Sequence, residues 1–192
     1  MTLIAYFKTD APIDREGESA TWQSLLSSLY RLALGKDLPP IEKAPLGKPY
    51  LKNDPTHKIS AAHSGGAVAV CLSDEGEVGI DVEGEIEAAR CDRIRARFPY
   101  VQHRNLPTLR GARIFSAEKI GDSLSLKEEI HEICTDSAFT RAWTLTEALL
   151  KAEGGGFRSS DRLEYLEKHT EEASFKIETY YLTIAKITDI CK

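Results

Sequence analysis

Long apolar runs are missing from this chain. Nowhere do hydrophobic residues continue for the roughly 20 positions that a membrane-spanning helix needs, so no membrane partner is expected. Paired cysteines are missing as well. Cys71, Cys91, Cys134 and Cys191 lie far apart with no C-x-x-C spacing, which speaks against zinc ligation and a disulfide framework and leaves buried or incidental thiols. A positive charge excess is also lacking: 25 Lys and Arg face 30 Asp and Glu, so the net charge of −5 gives no reason to expect nucleic acid. Residues Met1 to Lys8 show no basic segment leading into an apolar stretch and a small-residue cleavage site. Nothing there marks a signal peptide, and a cytoplasmic location is expected. Neither low-complexity sequence nor an obvious flexible linker divides the chain.

What is present is a chain of 192 residues, 42% hydrophobic and 29% charged, enough to bury a core as one domain or as two small packed halves. Its charge is uneven. Between Arg90 and Arg113 stand seven arginines (Arg90, Arg93, Arg95, Arg97, Arg104, Arg110 and Arg113) against the single acid Asp92, a basic surface suited to an acidic partner.

The pattern of apolar residues predicts a strand over Leu3 to Lys8 and an amphipathic helix from Ser19 to Gly35, with Trp22, Leu25, Leu26, Leu29, Leu32 and Ala33 on one face. A loop from Asp37 to Pro49 follows. The apolar run Ala67 to Leu72 predicts a central strand, and the alternation over Val78 to Glu83 predicts a second, the two joined as a hairpin through Asp74 to Glu77. Ile86 to Phe98 reads as helix, Pro99 to Arg113 as an irregular connection, and the stretch beyond as helix-rich. The clearest helix spans about Asp136 to Glu153, stopped by Gly154-Gly155-Gly156. Two paired strands, Ala173 to Tyr180 and Tyr181 to Ile187, close the chain. This order of elements predicts an α+β fold in which one unit is used twice.

Three acids stand where a divalent cation could use them. Strand alternation puts Asp81 and Glu83 on one face while Ile80 and Val82 enter the core. A hard cation such as Mg²⁺ takes a few carboxylates together with waters and phosphates, and Glu147 on the late helix is the candidate third acid. Trp143, Glu147 and Lys151 follow one another at i, i+4 steps, so a metal-binding acid and a phosphate-binding cation could sit side by side. The same spacing also describes an ordinary solvated helix face, and Asp-x-Glu an ordinary outer strand face. His63 and Lys48, each taken alone, read more readily as a capping or core-edge histidine bonded to backbone and an ordinary loop lysine than as ligand contacts.

The order of these pieces is more specific than any one of them. Gly47-Lys48-Pro49-Tyr50, then His63-Ser64 ahead of an apolar strand, then Gly79-Ile80-Asp81-Val82-Glu83, then Trp143-Thr144-Leu145-Thr146-Glu147-Ala148-Leu149-Leu150-Lys151 running to Gly156 resembles the 4′-phosphopantetheinyl transferase superfamily, in its surfactin-synthetase-activating type. That pattern reads GKP, S-H-S, G-I-D-[IV]-E and W-x-x-K-E-A-x-x-K-x-x-G-x-G. The resemblance implies two pseudo-symmetric halves, each a small antiparallel sheet packed with helices, here residues 1–72 and 73–192, with coenzyme A in the cleft between them. It implies Mg²⁺ on Asp81, Glu83 and Glu147, with Lys151 on the coenzyme diphosphate and Lys48, His63 and Ser64 at the 3′-phosphate and adenosine end. It further implies transfer of phosphopantetheine from coenzyme A to a serine of an acyl or peptidyl carrier protein, releasing 3′,5′-ADP; a carboxylate or a metal-bound water must then take the serine proton, and Glu147 or Glu118 is the favoured carboxylate. A monomer would hold the complete site.

The sequence departs from that pattern at Thr146, where a lysine is usual, and at Ala62, where a serine is. Ile114-Phe115-Ser116-Ala117-Glu118 resembles a further family segment, one position out of register and farther from Glu83 than the pattern has it. Two other readings stay open: a non-catalytic or weakly active relative that binds coenzyme A or a carrier protein, and a Mg²⁺-dependent hydrolase of nucleoside-diphosphate compounds.

Overall fold

The computed structural model describes residues 1–104, 106–120, 123–136 and 138–188; Cys191 lies outside them. Two sheets and two long helices stack in four layers. The first sheet has the order β4-β5-β1-β7-β8, built from β1 (Thr2–Lys8), β4 (Lys58–Ser64), β5 (Ala67–Ser73), β7 (Ala112–Ile120) and β8 (Ser123–Glu129). The second has the order β6-β10-β9, from β6 (Val78–Gly84), β9 (Thr170–Ile177) and β10 (Tyr180–Ile187). A small ribbon of β2 (Ile41–Lys43) and β3 (Pro49–Leu51) lies beside them. The helices are α1 (Arg15–Leu34), α2 (Ala88–Arg97), α3 (Phe139–Glu153) and α4 (Leu163–Lys168). The fold is α+β. No helix among the described residues is long and apolar enough to cross a membrane.

Alternation sorts the side chains into layers. On β1, Leu3 and Ala5 join Val68, Val70 and Leu72 of β5 under Leu25, Leu26 and Leu29 of α1. Ile4, with Ala69 and Cys71, faces the other way, against Ile80 and Val82 of β6 and Leu182 and Ile184 of β10. Beyond the second sheet, Ala185 and Ile187 pack under Leu145, Ala148, Leu149 and Ala152 of α3. β5 is therefore buried along its whole length, as a run with no polar alternation requires.

Several expectations from the sequence are corrected here. β5 and β6 do not form a hairpin: β5 pairs with β4 through the Gly65-Gly66 turn, while β6 crosses to the second sheet and pairs with β10. At Gly66 a Cβ would stand 2.2 Å from the Thr9 carbonyl oxygen, so backbone crowding alone requires glycine at that turn. The stretch after Arg113 is not helical but forms the β7–β8 hairpin, with β7 lying parallel to β1. The first sheet is accordingly mixed rather than antiparallel, and it draws strands from both sides of residue 72. The loop from Asp37 to Pro49 contains β2. α1 begins earlier than its apolar stripe, because Asp14 caps it by accepting the Gly17 N–H at 2.8 Å. The closing strands pair as expected, and Gly35 ends α1 in the left-handed conformation.

Candidate functional site

The candidate site forms where α3 lies across β6. Val78, Ile80 and Val82 fill the space between the sheets, which leaves Gly79, Asp81 and Glu83 facing α3. Gly79 has no side chain for a physical reason. A Cβ there would stand 2.0 Å from the Ala148 carbonyl oxygen and 2.4 Å from the Ala152 nitrogen, so helix and strand backbones touch at this point. Two positions along the strand, Asp81 comes under the helix turn that carries Glu147 and Lys151.

The charges there are tightly tied. Lys151 donates to Asp81 Oδ1 at 2.6 Å, and the Asp81 side chain is only 10% exposed. Glu83 accepts from Ser64 Oγ at 2.5 Å and from Arg90 Nη2 at 2.9 Å. Glu147 is half-buried, and burial, reinforced by the Asp81 and Glu83 carboxylates and opposed by Lys151, pushes its carboxyl up to about 7. Asp81 is shifted upward by burial too, although Lys151 opposes the shift. The Lys151 ammonium is held above the usual lysine range; burial works against its charge, and the Asp81 and Glu147 carboxylates more than offset that.

Of the residues expected from sequence, Asp81, Glu83, Glu147, Lys151 and Ser64 are brought together. Lys48 reaches the next turn of α3: its Nζ donates to Glu77 Oε2 at 2.6 Å and to the Ala152 carbonyl, and its stem packs on Gly154. Lys48, Lys151, Ser60 and Gly156 line a cleft of about 270 Å³ there. His63 stands apart. It is exposed on the α1 side of β4, where Nδ1 pairs with Glu18 at 2.9 Å, while the next residue, Ser64, points to Glu83. Glu118 is exposed on β7, three strands away from Ser64 across the first sheet.

Two participants were not visible in the sequence. Arg90 was legible only as one of seven arginines, yet it forks onto Glu83. Arg104 is buried against Thr146, the position where the sequence pattern has a lysine. A buried polar chain backs the site: Arg141 pairs with Glu172 at 2.6 Å, and Ser174, Thr183 and Thr144 continue it to β10 and α3, with Thr183 the register partner of Asp81.

Asp81, Glu83 and Glu147 lie near one another at the β6–α3 contact, and carboxylate oxygens are the donor type that a hard divalent cation takes. Among the described residues no group of three or more His, Cys, Asp or Glu side chains is arranged to hold a metal ion. Asp81 is engaged by Lys151, and Glu83 by Ser64 and Arg90, so a cation would take these acids from partners they already hold.

The sequence is 33% identical over 157 residues to a protein from Salmonella typhi, 4′-phosphopantetheinyl transferase AcpT, spanning 80% of this chain and 70% of that protein. The protein of the same name from Salmonella typhimurium matches to the same extent. The chain belongs to the 4′-phosphopantetheinyl transferase family. A third relative of that name, from Escherichia coli, is 30% identical over 118 residues, covering 62% of this chain and 50% of its own length. No family model matches the chain. In this transferase family member, the acid cluster lies at the contact between β6 and α3, and the Lys48–Lys151 cleft opens between α3 and residues of β3 and β4, with Lys151 common to both.

Proposed function

We propose that this protein transfers 4′-phosphopantetheine from coenzyme A to a serine of an acyl or peptidyl carrier protein, in the manner of the surfactin-synthetase-activating, holo-carrier-forming type, and that it acts as a monomer in the cytoplasm. The observation that carries the reading is the meeting of Asp81, Glu83, Glu147 and Lys151 at the glycine contact between β6 and α3. Mg²⁺ on Asp81, Glu83 and Glu147 would supply charge neutralisation at the diphosphate. Lys151 then leaves Asp81 for a phosphate oxygen, Ser64 contacts the coenzyme from its place beside Glu83, and Lys48 holds the far end. The serine hydroxyl attacks the β-phosphorus; the new P–O bond forms as the bond to the bridging oxygen breaks, and 3′,5′-ADP departs. A carboxylate or a metal-bound water must take the serine proton; of the two acids expected for that role, Glu147 belongs to the cluster, and we assign it the role. Two related halves, each with a sheet and one long helix on its outer face, are part of the same proposal. It draws on the packing of α1 on the first sheet and α3 on the second.

The test is mass spectrometry of several apo carrier proteins after incubation with the protein, coenzyme A and Mg²⁺, beside a Glu147→Ala control. Gain of one phosphopantetheine per carrier, lost in the control and in chelator, is the expected result. Coenzyme A binding without transfer to any carrier would instead support the non-catalytic reading, and free 3′,5′-ADP without a modified carrier the hydrolase.

A further inference from the structure

Six of the seven arginines between Arg90 and Arg113 are exposed, and Arg104 is buried, with its side chain 3% accessible. It lies in the long connection between α2 and β7 and binds on three sides. Its Nη2 donates to the Tyr100 carbonyl at 2.7 Å and its Nη1 to the Gln102 carbonyl at 3.1 Å, which folds its own segment around the guanidinium. Nη1 also donates to Thr146 Oγ1 on α3 at 3.0 Å, and Nε meets Glu167 on α4. Thr146 is fully buried and passes its own proton to the Ala142 carbonyl at 2.8 Å, so its oxygen is aimed at Arg104.

The segment so held carries aromatic rings. Phe98 stacks on Phe157 with centroids 4.7 Å apart and packs on Trp143 at 5.6 Å, and Tyr100 lies 5.9 Å from Phe98. Trp143 is one helical turn before Glu147. Burial raises the Tyr100 phenol, and the nearby Glu147 carboxylate adds to the effect.

We infer that Arg104 is a positioning residue that clasps residues 98–104 onto α3 and α4 and so fixes the aromatic wall of Phe98, Tyr100 and Trp143 beside Glu147. Its charge is met by Glu167, so it acts as a clasp and not as a phosphate contact. Thr146 is the matching half: a small hydroxyl leaves room for a guanidinium arriving from another segment, where a lysine would fill that space itself. The inference rests on the proposed transferase activity only for its kinetic consequence.

The experiment uses the full-length chain with Arg104→Met, Thr146→Val, Thr146→Lys and the double variant Arg104→Met with Thr146→Lys. Amide hydrogen exchange and carrier-modification kinetics are measured on each. Arg104→Met is expected to speed exchange in residues 98–104 at least tenfold while amides of β5 and β6 keep their protection, and, through the wall beside Glu147, to lower kcat about tenfold with the coenzyme KM within about twofold. Thr146→Val, nearly isosteric, should move both in the same direction by less. Thr146→Lys alone should lower the thermal midpoint, because two cations would share one carboxylate, and adding Arg104→Met should restore it. Unchanged exchange at 98–104 in both Arg104→Met and Thr146→Val overturns the clasp, as does loosening spread evenly over the chain. If the wild-type protein modifies no carrier, the transferase reading fails while the exchange data still decide the clasp.

Discussion

Replacing Gly79 by alanine probes a place where strand and helix backbones touch. The added methyl would stand 2.0 Å from the Ala148 oxygen and 2.4 Å from the Ala152 nitrogen, and real Cβ contacts do not fall below 3.0 Å. Neither neighbour is a side-chain tip that can turn away, so α3 must withdraw by about 1 Å at that turn. Overpacking of this kind costs about 3 kcal/mol, which in a chain of this size lowers the thermal midpoint by about 6–12 °C. The same displacement acts on the chemistry. Lys151 now reaches Asp81 at 2.6 Å, and a shift of about 1 Å takes that pair beyond hydrogen-bond range and moves Glu147 with it. A misplacement of that size can cost about 100-fold in rate. The assay is urea and thermal unfolding together with carrier modification, with Gly84→Ala as control. Gly84 ends the same strand, and its added methyl would meet only Tyr180 at 3.7 Å, an ordinary contact, so it should change stability by less than about 0.5 kcal/mol. A Gly79→Ala protein as stable and as active as the Gly84→Ala protein would refute the reasoning.

Glu147 holds its proton more tightly in the folded chain, at about 7, than its ordinary 4.5. The contribution of this one carboxyl to metal-free stability is therefore fully present below about pH 4.5 and is lost as pH rises through 7, on the order of 2 kcal/mol once the full shift is discounted for the group's partial exposure. Glu147→Gln should flatten that slope in urea titrations with chelator present, and an unaltered slope would locate the titration elsewhere. Arg90 occupies Glu83, so Arg90→Ala should bind Mn²⁺ about two- to fivefold more tightly by calorimetry, with Arg93→Ala as a neutral control; weaker binding would mean that Arg90 aligns the acid instead of competing for it. Breaking the buried Arg141–Glu172 pair with Glu172→Gln leaves a buried guanidinium uncompensated and should cost about 3 kcal/mol. Replacing both residues with apolar side chains should recover most of that loss in chemical denaturation.

The site was more legible in the sequence than the topology was. Asp81 and Glu83 follow from strand alternation, and the i, i+4 spacing of Glu147 and Lys151 follows from helix geometry; both are local facts. The sheet order was not local. β7 (Ala112–Ile120) and β8 (Ser123–Glu129) are rich in Ala, Leu, Lys and Glu, good helix formers, and become strands only because β7 lies along β1, more than a hundred residues earlier. β4 contains Ser60-Ala61-Ala62-His63, which has little strand propensity, yet it is the true hairpin partner of β5. The four polar residues after β5 fit a hairpin turn equally well, and nothing local shows that β6 leaves for a second sheet. His63 shows the limit of a motif read as a string. Adjacent strand residues point to opposite faces, so Ser64 joins the acid cluster and His63 meets α1.

The arrangement explains why one strand serves two purposes. Ile80 and Val82 anchor β6 in the core between the sheets, so the carboxylates on its other face cannot drift from the helix above them. Three acids there face Lys151 and the exposed Arg90, and burial, reinforced by the Asp81 and Glu83 carboxylates, raises the Glu147 carboxyl from its ordinary 4.5 to about 7. A site in that state is costly on its own and is relieved by a divalent cation or by a proton. The cation proposed above would relieve the same burial, and the hydrogen bonds of Ser64, Arg90 and Lys151 hold the two strand acids in place.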